Sequence, residues 1–405
     1  MIADSLEDVD AALLKEICEQ RRSESPTLDF KAKLPDSRAP ESKTELIKDV
    51  TAFANTEGGD LVFGIAENAS AEADHLEPIA VESADAAVRR LTSVLEGVEP
   101  RLRVQFHSVR VDGGYVLILR IPASFSGPHW VRLPNDHRRR FVYRNGAMTT
   151  DMTYDQLRDA FSQTAALQKQ ARTFVAERLR LVRIAETPVR IPADLPLAVL
   201  HVIPLEGLAG RQSWDIRPLF RSEACHELLA AQGSMSKRLN LDGGVVYLAS
   251  ADQVRLAYTQ AFRNGCVEAV MIAGRPASEN TNPNNEGHRL FNARIVAHFR
   301  TGLGKAVAKQ SAARFRGPVL VSLAIIRARN FRLSRESVYS ADCEPASADE
   351  LGDLVVPPMW VDLLETLNVD AVIQPLLDTI WQSFDAERCP YFNADTGVYA
   401  APPLA

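Results

Sequence analysis

LDFKAKL, Leu28 to Leu34, alternates polar and apolar residues. That is the period of a strand with one face in a core. It sets Leu28 and Phe30 on one side and Asp29 and Lys31 on the other, so an acid and an amine become neighbours in space. Glu24 stands five residues before Asp29. A continuous strand would put that odd separation on the opposite face. Pro26 disfavours such a strand and biases Ser25 away from helical geometry. A bend there is expected to bring Glu24 round to Asp29.

Two carboxylates and an amine so placed suit a hard divalent cation. Mg²⁺ and Mn²⁺ prefer carboxylate oxygens and water, generate hydroxide and stabilise charge on a phosphate. The competing reading is an exposed strand with an ordinary Asp–Lys pair.

The 405 residues suffice for two or three domains with substantial cores. The sequence has no apolar run long enough for a membrane span. The start, MIADSLEDVD, is acidic and predicts no secretory leader. The five cysteines lie far apart, and neither a CxxC pair nor an HExxH helix occurs. Structural zinc and a disulfide framework are therefore not expected, and the cytoplasm is the expected compartment.

Net charge is −6, which argues against a nucleic-acid partner until its distribution is considered. Residues 99–146 hold nine Arg against three acids, whereas residues 341–405 hold twelve acids against one Arg. Arg138, Arg139, Arg140 and Arg144 surround Phe141 and Tyr143, with His129, Trp130 and Arg132 just upstream. Arginine forks bind phosphates and aromatic rings stack on unpaired bases, so this segment is the expected RNA track. A solvated basic face is the alternative, and the core is the expected place for the two aromatics. The acidic C-terminal region reads as a solvated domain face; a cover that mimics RNA is the second reading.

Periodicity predicts helices over Ala11–Arg22, from Ser42 to Gly58-Gly59, over Ser83–Val98 and from Thr153 to about Arg183. Strands are predicted over Asp60–Ile65, Val104–Val111 and Tyr115–Ile121, the last two about a turn at Asp112-Gly113-Gly114. Pro188–Pro196 reads as a linker. Beyond it, strands are expected at Leu197–Leu205 and Pro318–Arg329, and two more about Asn264-Gly265. A helix is expected over Glu286–Ala308. Trp360, Leu363 and Leu364 are expected to be buried. GLGKA at Gly302 lacks the first glycine and the Ser/Thr of a phosphate loop and is discounted. The fold class is α+β.

ESPTLDFK (Glu24–Lys31), TAFANTEGGDLVFGIAE (Thr51–Glu67) and FVYRNGAMTTDMTYDQL (Phe141–Leu157) together resemble the Schlafen family, in particular its AlbA-like domain. The resemblance spans about residues 20–165, and ANTEGG is its most specific part. It implies a domain over 1–165; the residue patterns beyond it give a helix and linker over 166–195 and a second α+β domain of unassigned role over 196–405. Schlafen nucleases use three acids to bind metal and cut tRNA or rRNA. Carried over, these fall on Glu24, Asp29 and Glu67, which are the expected ligands of Mg²⁺ or Mn²⁺, with Lys31 as transition-state stabiliser. The family pattern has Glu where Asp29 stands and Asp where Glu67 stands, which alters ligand reach but not charge.

The leading expectation is a metal-dependent endoribonuclease acting on tRNA or other structured RNA; the resemblance implies the role of a toxin or antiphage effector. The rivals are a non-catalytic DNA- or RNA-binding regulator and a nucleotide-binding sensor. For the second domain the open roles are RNA recognition, sensing a trigger, homodimerisation and binding a defence-system partner.

Overall fold

The structure, a computed structural model, describes every residue except 4, 37, 134–135, 230–234, 250–253, 277–287, 316, 334–351, 362–366 and 401–405; the side chains of 133 and 136–138 also lie outside the description. The chain divides into two compact units, Met1–Ala166 and Leu167–Ala405. Both mix helices and strands.

The first unit runs α1 (Ala11–Glu19), β1 (Leu28–Lys31), α2 (Pro40–Ala54), β2 (Gly58–Phe63), β3 (Ile65–Glu67), β4 (Ala73–Leu76), α3 (Ala84–Leu95), β5 (Val98–Glu99), β6 (Gln105–Val111), β7 (Gly114–Pro122), β8 (Trp130–Leu133), β9 (Asp136–Arg140), β10 (Val142–Asn145) and β11 (Met148–Asp151), then enters α4 (Tyr154–Arg183). A four-stranded sheet in the order β1-β2-β7-β6 forms its centre. β1 is parallel to β2, with Asp29 opposite Leu61. On one face Leu46, Val50 and Phe53 of α2 and Leu91 of α3 pack on Leu61, Leu117 and Leu119. On the other, Leu14 and Ile17 of α1 pack on Leu28, Phe30 and Val62. The alternation of β1 thus emerges as expected. Behind this face Asp60 is fully buried, and Arg120 Nε and Nη2 reach its two oxygens at 2.7 and 2.9 Å.

Several boundaries differ from expectation; α3 ends at Leu95 rather than Val98, and in the second unit the helix expected over Glu286–Ala308 runs Asn292–Ala312 with His288–Leu290 a strand before it. α2 opens at Pro40 rather than Ser42, because proline at a first helical position gives up an N–H that has no partner there anyway. The Ser42 hydroxyl instead accepts from the Asp36 N–H at 3.3 Å. α2 ends at Ala54, and Gly58-Gly59 begins β2 rather than terminating a helix. Both glycines are required by close approach: a Cβ on Gly58 (φ +72°) would lie 2.5 Å from the Ala123 nitrogen, and one on Gly59 2.5 Å from the Phe53 ring. α1 stops at Glu19, and Arg21 takes a left-handed backbone (φ 48°). The Thr153–Gln156 pair caps α4 reciprocally, at 2.9 and 3.3 Å.

The second unit holds β12 (Leu197–Pro204), α5 (Leu205–Leu208), α6 (Ile216–Arg221), β13 (Met235–Leu239), β14 (Gly243–Ala249), β15 (Arg255–Phe262), β16 (Val267–Ile272), β17 (Gly274–Arg275), β18 (His288–Leu290), α7 (Asn292–Ala312), β19 (Val319–Ile326), β20 (Phe331–Leu333), β21 (Leu354–Val355), β22 (Met359–Val361) and α8 (Val369–Gln382). Its main sheet is eight-stranded, in the order β13-β14-β15-β16-β12-β19-β21 with β22 also on β19, and its pairs are antiparallel. Val296, Phe299 and Leu303 of α7 and Ile373 and Leu377 of α8 cover one face over Leu200, Val202, Val321 and Leu323. Gly302 lies inside α7, so GLGKA is helix rather than phosphate loop. In the acidic C-terminal region α8 is a core element, and Asp370 pairs with Arg300 at 2.6 Å. Trp360 is half-buried; Leu363 and Leu364 lie outside the described residues. Among the described residues no helix is long and apolar enough to cross a membrane.

Candidate functional site

The site grows from the turn before β1. Ser25 and Leu28 exchange backbone hydrogen bonds at 3.0 and 3.2 Å across Pro26 and Thr27. This is the expected bend, and it carries Glu24 back over the strand. Glu24 Oε1 accepts from the Phe30 N–H at 2.9 Å. Its carboxyl lies within hydrogen-bonding reach of Asp29. Burial, first, and then the charges of Asp29 and Glu67 raise the Glu24 pKa to about 7, against the lowering effect of the Phe30 N–H.

Asp29 is 3% exposed and sits between two cations. Lys31 Nζ is 2.8 Å from Oδ1, and Arg144 Nη1 is 2.7 Å from Oδ2. Lys31 is partly exposed, and although burial alone would lower its pKa, the charges of Asp29, Asp49 and Glu24 carry it upward. Arg144 is buried, lies 4.4 Å over the Phe53 ring and also donates to the Ser25 carbonyl at 3.3 Å.

ANTEGG acquires a physical meaning here. Asn55 donates to the carbonyls of His129 and Val142 at 2.8 and 2.9 Å and accepts from the His129 N–H at 2.7 Å. Thr56 Oγ1 accepts from the Arg144 N–H at 3.0 Å. The motif therefore fastens β10 beside β1 and delivers Arg144 to Asp29.

The basic segment divides. Arg144 is not on a surface track: β10 turns Val142 and Arg144 inward and leaves Phe141 and Tyr143 half-exposed, the reverse of the expected alternation. Asp29 makes this burial tolerable by neutralising the guanidinium. His129 is also buried, held by the Pro100 carbonyl and Ser124 Oγ, each at 2.6 Å. Arg132 and Arg140 remain outside, paired with Glu99 at 3.3 Å and Asp151 at 2.8 Å. Arg139 is exposed and lies 5.0 Å over the Trp130 ring. The Arg138 side chain lies outside the described residues.

Arg132 and Arg140 line one groove of about 1040 Å³ beside α2, together with Lys43, Lys48, Asp49 and Thr149. The sequence reading missed Asp49. Its carboxyl accepts from Thr149 Oγ1 at 3.0 Å. Burial, then the nearby Asp29, raises its pKa to about 6, opposed by Lys31, Thr149 and Arg144. The signal for it was present: Asp49 lies three residues after Leu46 and four before Phe53, so it is an acid on the apolar stripe of an amphipathic helix.

Glu67 ends β3 with an exposed side chain. Its charge reaches Glu24, but among the described residues no group of three or more His, Cys, Asp or Glu side chains gathers so as to hold a metal ion. The expected three-carboxylate set is therefore not assembled: Glu67 stays in solvent, and Asp29 closes on Lys31 and Arg144. What the fold does bring together is the Glu24–Asp29 pair. A pair of carboxylates is the donor type that Mg²⁺ and Mn²⁺ take, since those ions keep several waters and accept further oxygens from a substrate phosphate, though both Asp29 oxygens here already meet Lys31 and Arg144. Glu24, Asp29, Asp49 and Glu67 outnumber Lys31 and Arg144, and this excess of negative charge also favours a cation.

Residues 24–153 match the Schlafen, AlbA_2 family, and the first unit carries this domain. Among solved structures, the DIP2311 protein from Corynebacterium diphtheriae is similar at 21% identity over 35% of this chain and 26% of its own, with a TM-score of 0.23. The chain thus spans about a quarter of that protein. The N-terminal domain of a protein described as related to the ATP-dependent DNA helicase RecG, from Nitrosomonas europaea, is similar at 23% identity over 33% of this chain and 89% of its own, with a TM-score of 0.24. No curated protein matches the chain.

Proposed function

We propose that the first unit is a metal-dependent endoribonuclease that draws structured RNA, tRNA in the first instance, along the α2 groove and cuts it beside Glu24 and Asp29. The carrying observation is the return of Glu24 over β1, its Oε1 on the Phe30 N–H at 2.9 Å beside Asp29, with the partly exposed Lys31 ammonium 2.8 Å from Asp29 Oδ1. Glu24 and Asp29 would hold a Mg²⁺ or Mn²⁺ ion, which supplies an activated water and charge neutralisation at phosphate. Lys31 donates to a non-bridging phosphate oxygen and offsets the charge that grows there. Arg144 holds Asp29 in place from behind and touches no substrate. Arg132 and Arg140 grip backbone phosphates along the groove. Such an activity suits a toxin or antiphage effector.

Purified protein incubated with tRNA and Mn²⁺ should give discrete fragments, and chelation should stop their formation. Glu24→Gln should slow cleavage by about 100-fold or more while leaving the melting temperature within a few degrees. Cleavage that persists undiminished in this variant removes Glu24 from the mechanism.

A second reading, a non-catalytic nucleic-acid binder, is favoured by the two cations that already neutralise Asp29. It predicts the groove without the chemistry. In either case, replacing Arg132 and Arg140 together by alanine should reduce the slope of log affinity against log salt by about 2. An unchanged slope places the RNA elsewhere.

A further inference from the structure

The second unit contains a cavity of about 620 Å³ that RNA cleavage does not use. Its volume lies within the range of small-molecule sites. Three neighbouring strands supply apolar walls through Leu248, Leu256 and Met271, and α7 adds Phe291 where it begins. His298, about two helical turns further on, is 3% exposed. Its Nε2–H donates to the Ala269 carbonyl at 3.2 Å, and burial holds its pKa down to about 4 despite that bond, so this wall is uncharged at neutral pH.

Charge is confined to the mouth and is of one sign. Arg275 and Arg294 line the cavity with exposed side chains, and among the described residues no carboxylate lines it. Among the described residues neither arginine makes an ion pair; Arg294 rests 4.9 Å over the Phe291 ring. The helix beneath adds to the field. α7 has 21 residues, no acid in its first turn and no side-chain hydrogen bond from its N-cap residue, Phe291. The positive end of its dipole thus has no acid in the helix's own first turn.

We propose that this cavity binds a small amphipathic anion, with an apolar or aromatic body against the strand walls and a carboxylate or phosphate between Arg275 and Arg294. The combination is particular. An apolar hole alone would take a neutral hydrocarbon, and two surface arginines alone would take any anion. An uncharged interior joined to a doubly cationic mouth selects a ligand with both properties. An alkyl carboxylate and a nucleoside monophosphate both have that form. The site is independent of the RNA-cleaving reading of the first unit.

Titration calorimetry on the full chain should use decanoate and adenosine monophosphate, each beside its neutral counterpart, decanol and adenosine. One of the two anions should bind about tenfold or more tightly than its neutral counterpart, and its identity names the source. Arg275→Ala with Arg294→Ala should remove that preference. Ala297→Trp, an exposed lining position, should block the cavity and abolish binding without lowering the melting temperature. Failure of both anions to bind at about 1 mM overturns the proposal, since that concentration corresponds to only about 4 kcal/mol of affinity. So does equal affinity for charged and neutral partners, or binding that survives both sets of substitutions.

Discussion

Arg144→Ala should destabilise the first unit by about 3 kcal/mol, the lower part of the range for breaking a buried ion pair. The substitution leaves Asp29 at 3% exposure and takes away the cation 2.7 Å from Oδ2. Lys31, 2.8 Å from Oδ1, remains and moderates the loss. The contact with the Phe53 ring is lost as well, and it adds to the cost because it is desolvated. Arg144→Lys should fall between parent and alanine: it keeps the charge but not the planar fork that reaches both Asp29 and the Ser25 carbonyl. Hydrogen exchange over β2 and β7 reports on this unit directly, and urea unfolding gives the magnitude. The same residue in an RNA track would behave oppositely. Its loss would then leave the unfolding midpoint where it is and weaken RNA binding in a salt-dependent way. That result would return Arg144 to the surface role and undo the positioning role assigned above.

Arg144 also shows which parts of this molecule are legible in sequence. Local periods were: the alternation of LDFKAKL places Leu28 and Phe30 in the core and joins Asp29 to Lys31, and Pro26 makes the turn that returns Glu24. The β6–β7 hairpin about Asp112-Gly113 and the capped start of α4 were readable for the same reason, since turn and cap chemistry act over a few residues. The inward turn of Arg144 was not, because it depends on a partner 115 positions away. An arginine in RRRFVYR reads as surface until something buried is known to neutralise it. Glu67 fails for a related reason. A strand end is visible in sequence, but the direction of the Glu67 side chain at the end of β3 depends on the β3–β4 pairing, whose register shifts between Ala66 and Glu67. Asp49 could have been found, as an acid on an apolar helix face is a local anomaly. In the second unit the central strands β12 and β19 announced themselves as apolar runs. The edge strand β13, MSKRL, has no such signature and was missed.

Glu268→Gln should cost the second unit about 3 to 5 kcal/mol at pH 7 and flatten its acid response. Glu268 is fully buried on β16. Arg178 of α4 grips both of its oxygens at 2.8 and 2.7 Å, Tyr258 donates its hydroxyl at 2.8 Å, and His201 Nε2 lies 3.0 Å away. Burial by itself would raise the carboxyl pKa. The hydrogen bonds from Arg178 and His201, with their charge, outweigh burial and hold it at about 2 against an ordinary value of 4.5. A folded pKa below the unfolded one means that the native state holds the proton less readily. The resulting stability is present in full above about pH 4.5 and is lost as pH falls toward 2, an amount on the order of 3 kcal/mol. Glutamine keeps the shape but carries no charge, so Arg178 loses its counter-ion and the loss appears at neutral pH instead. Between pH 4.5 and 2 the variant should therefore change less than the parent. Three of the four tryptophans, Trp214, Trp360 and Trp381, belong to this unit, so their fluorescence follows its unfolding in urea across a pH series. Subtracting variant from parent cancels every other carboxylate that titrates in the same range. A difference that stays constant from pH 5 to pH 2 would mean that Glu268 is protonated in the native state, and the network would then be held by neutral hydrogen bonds rather than by charge.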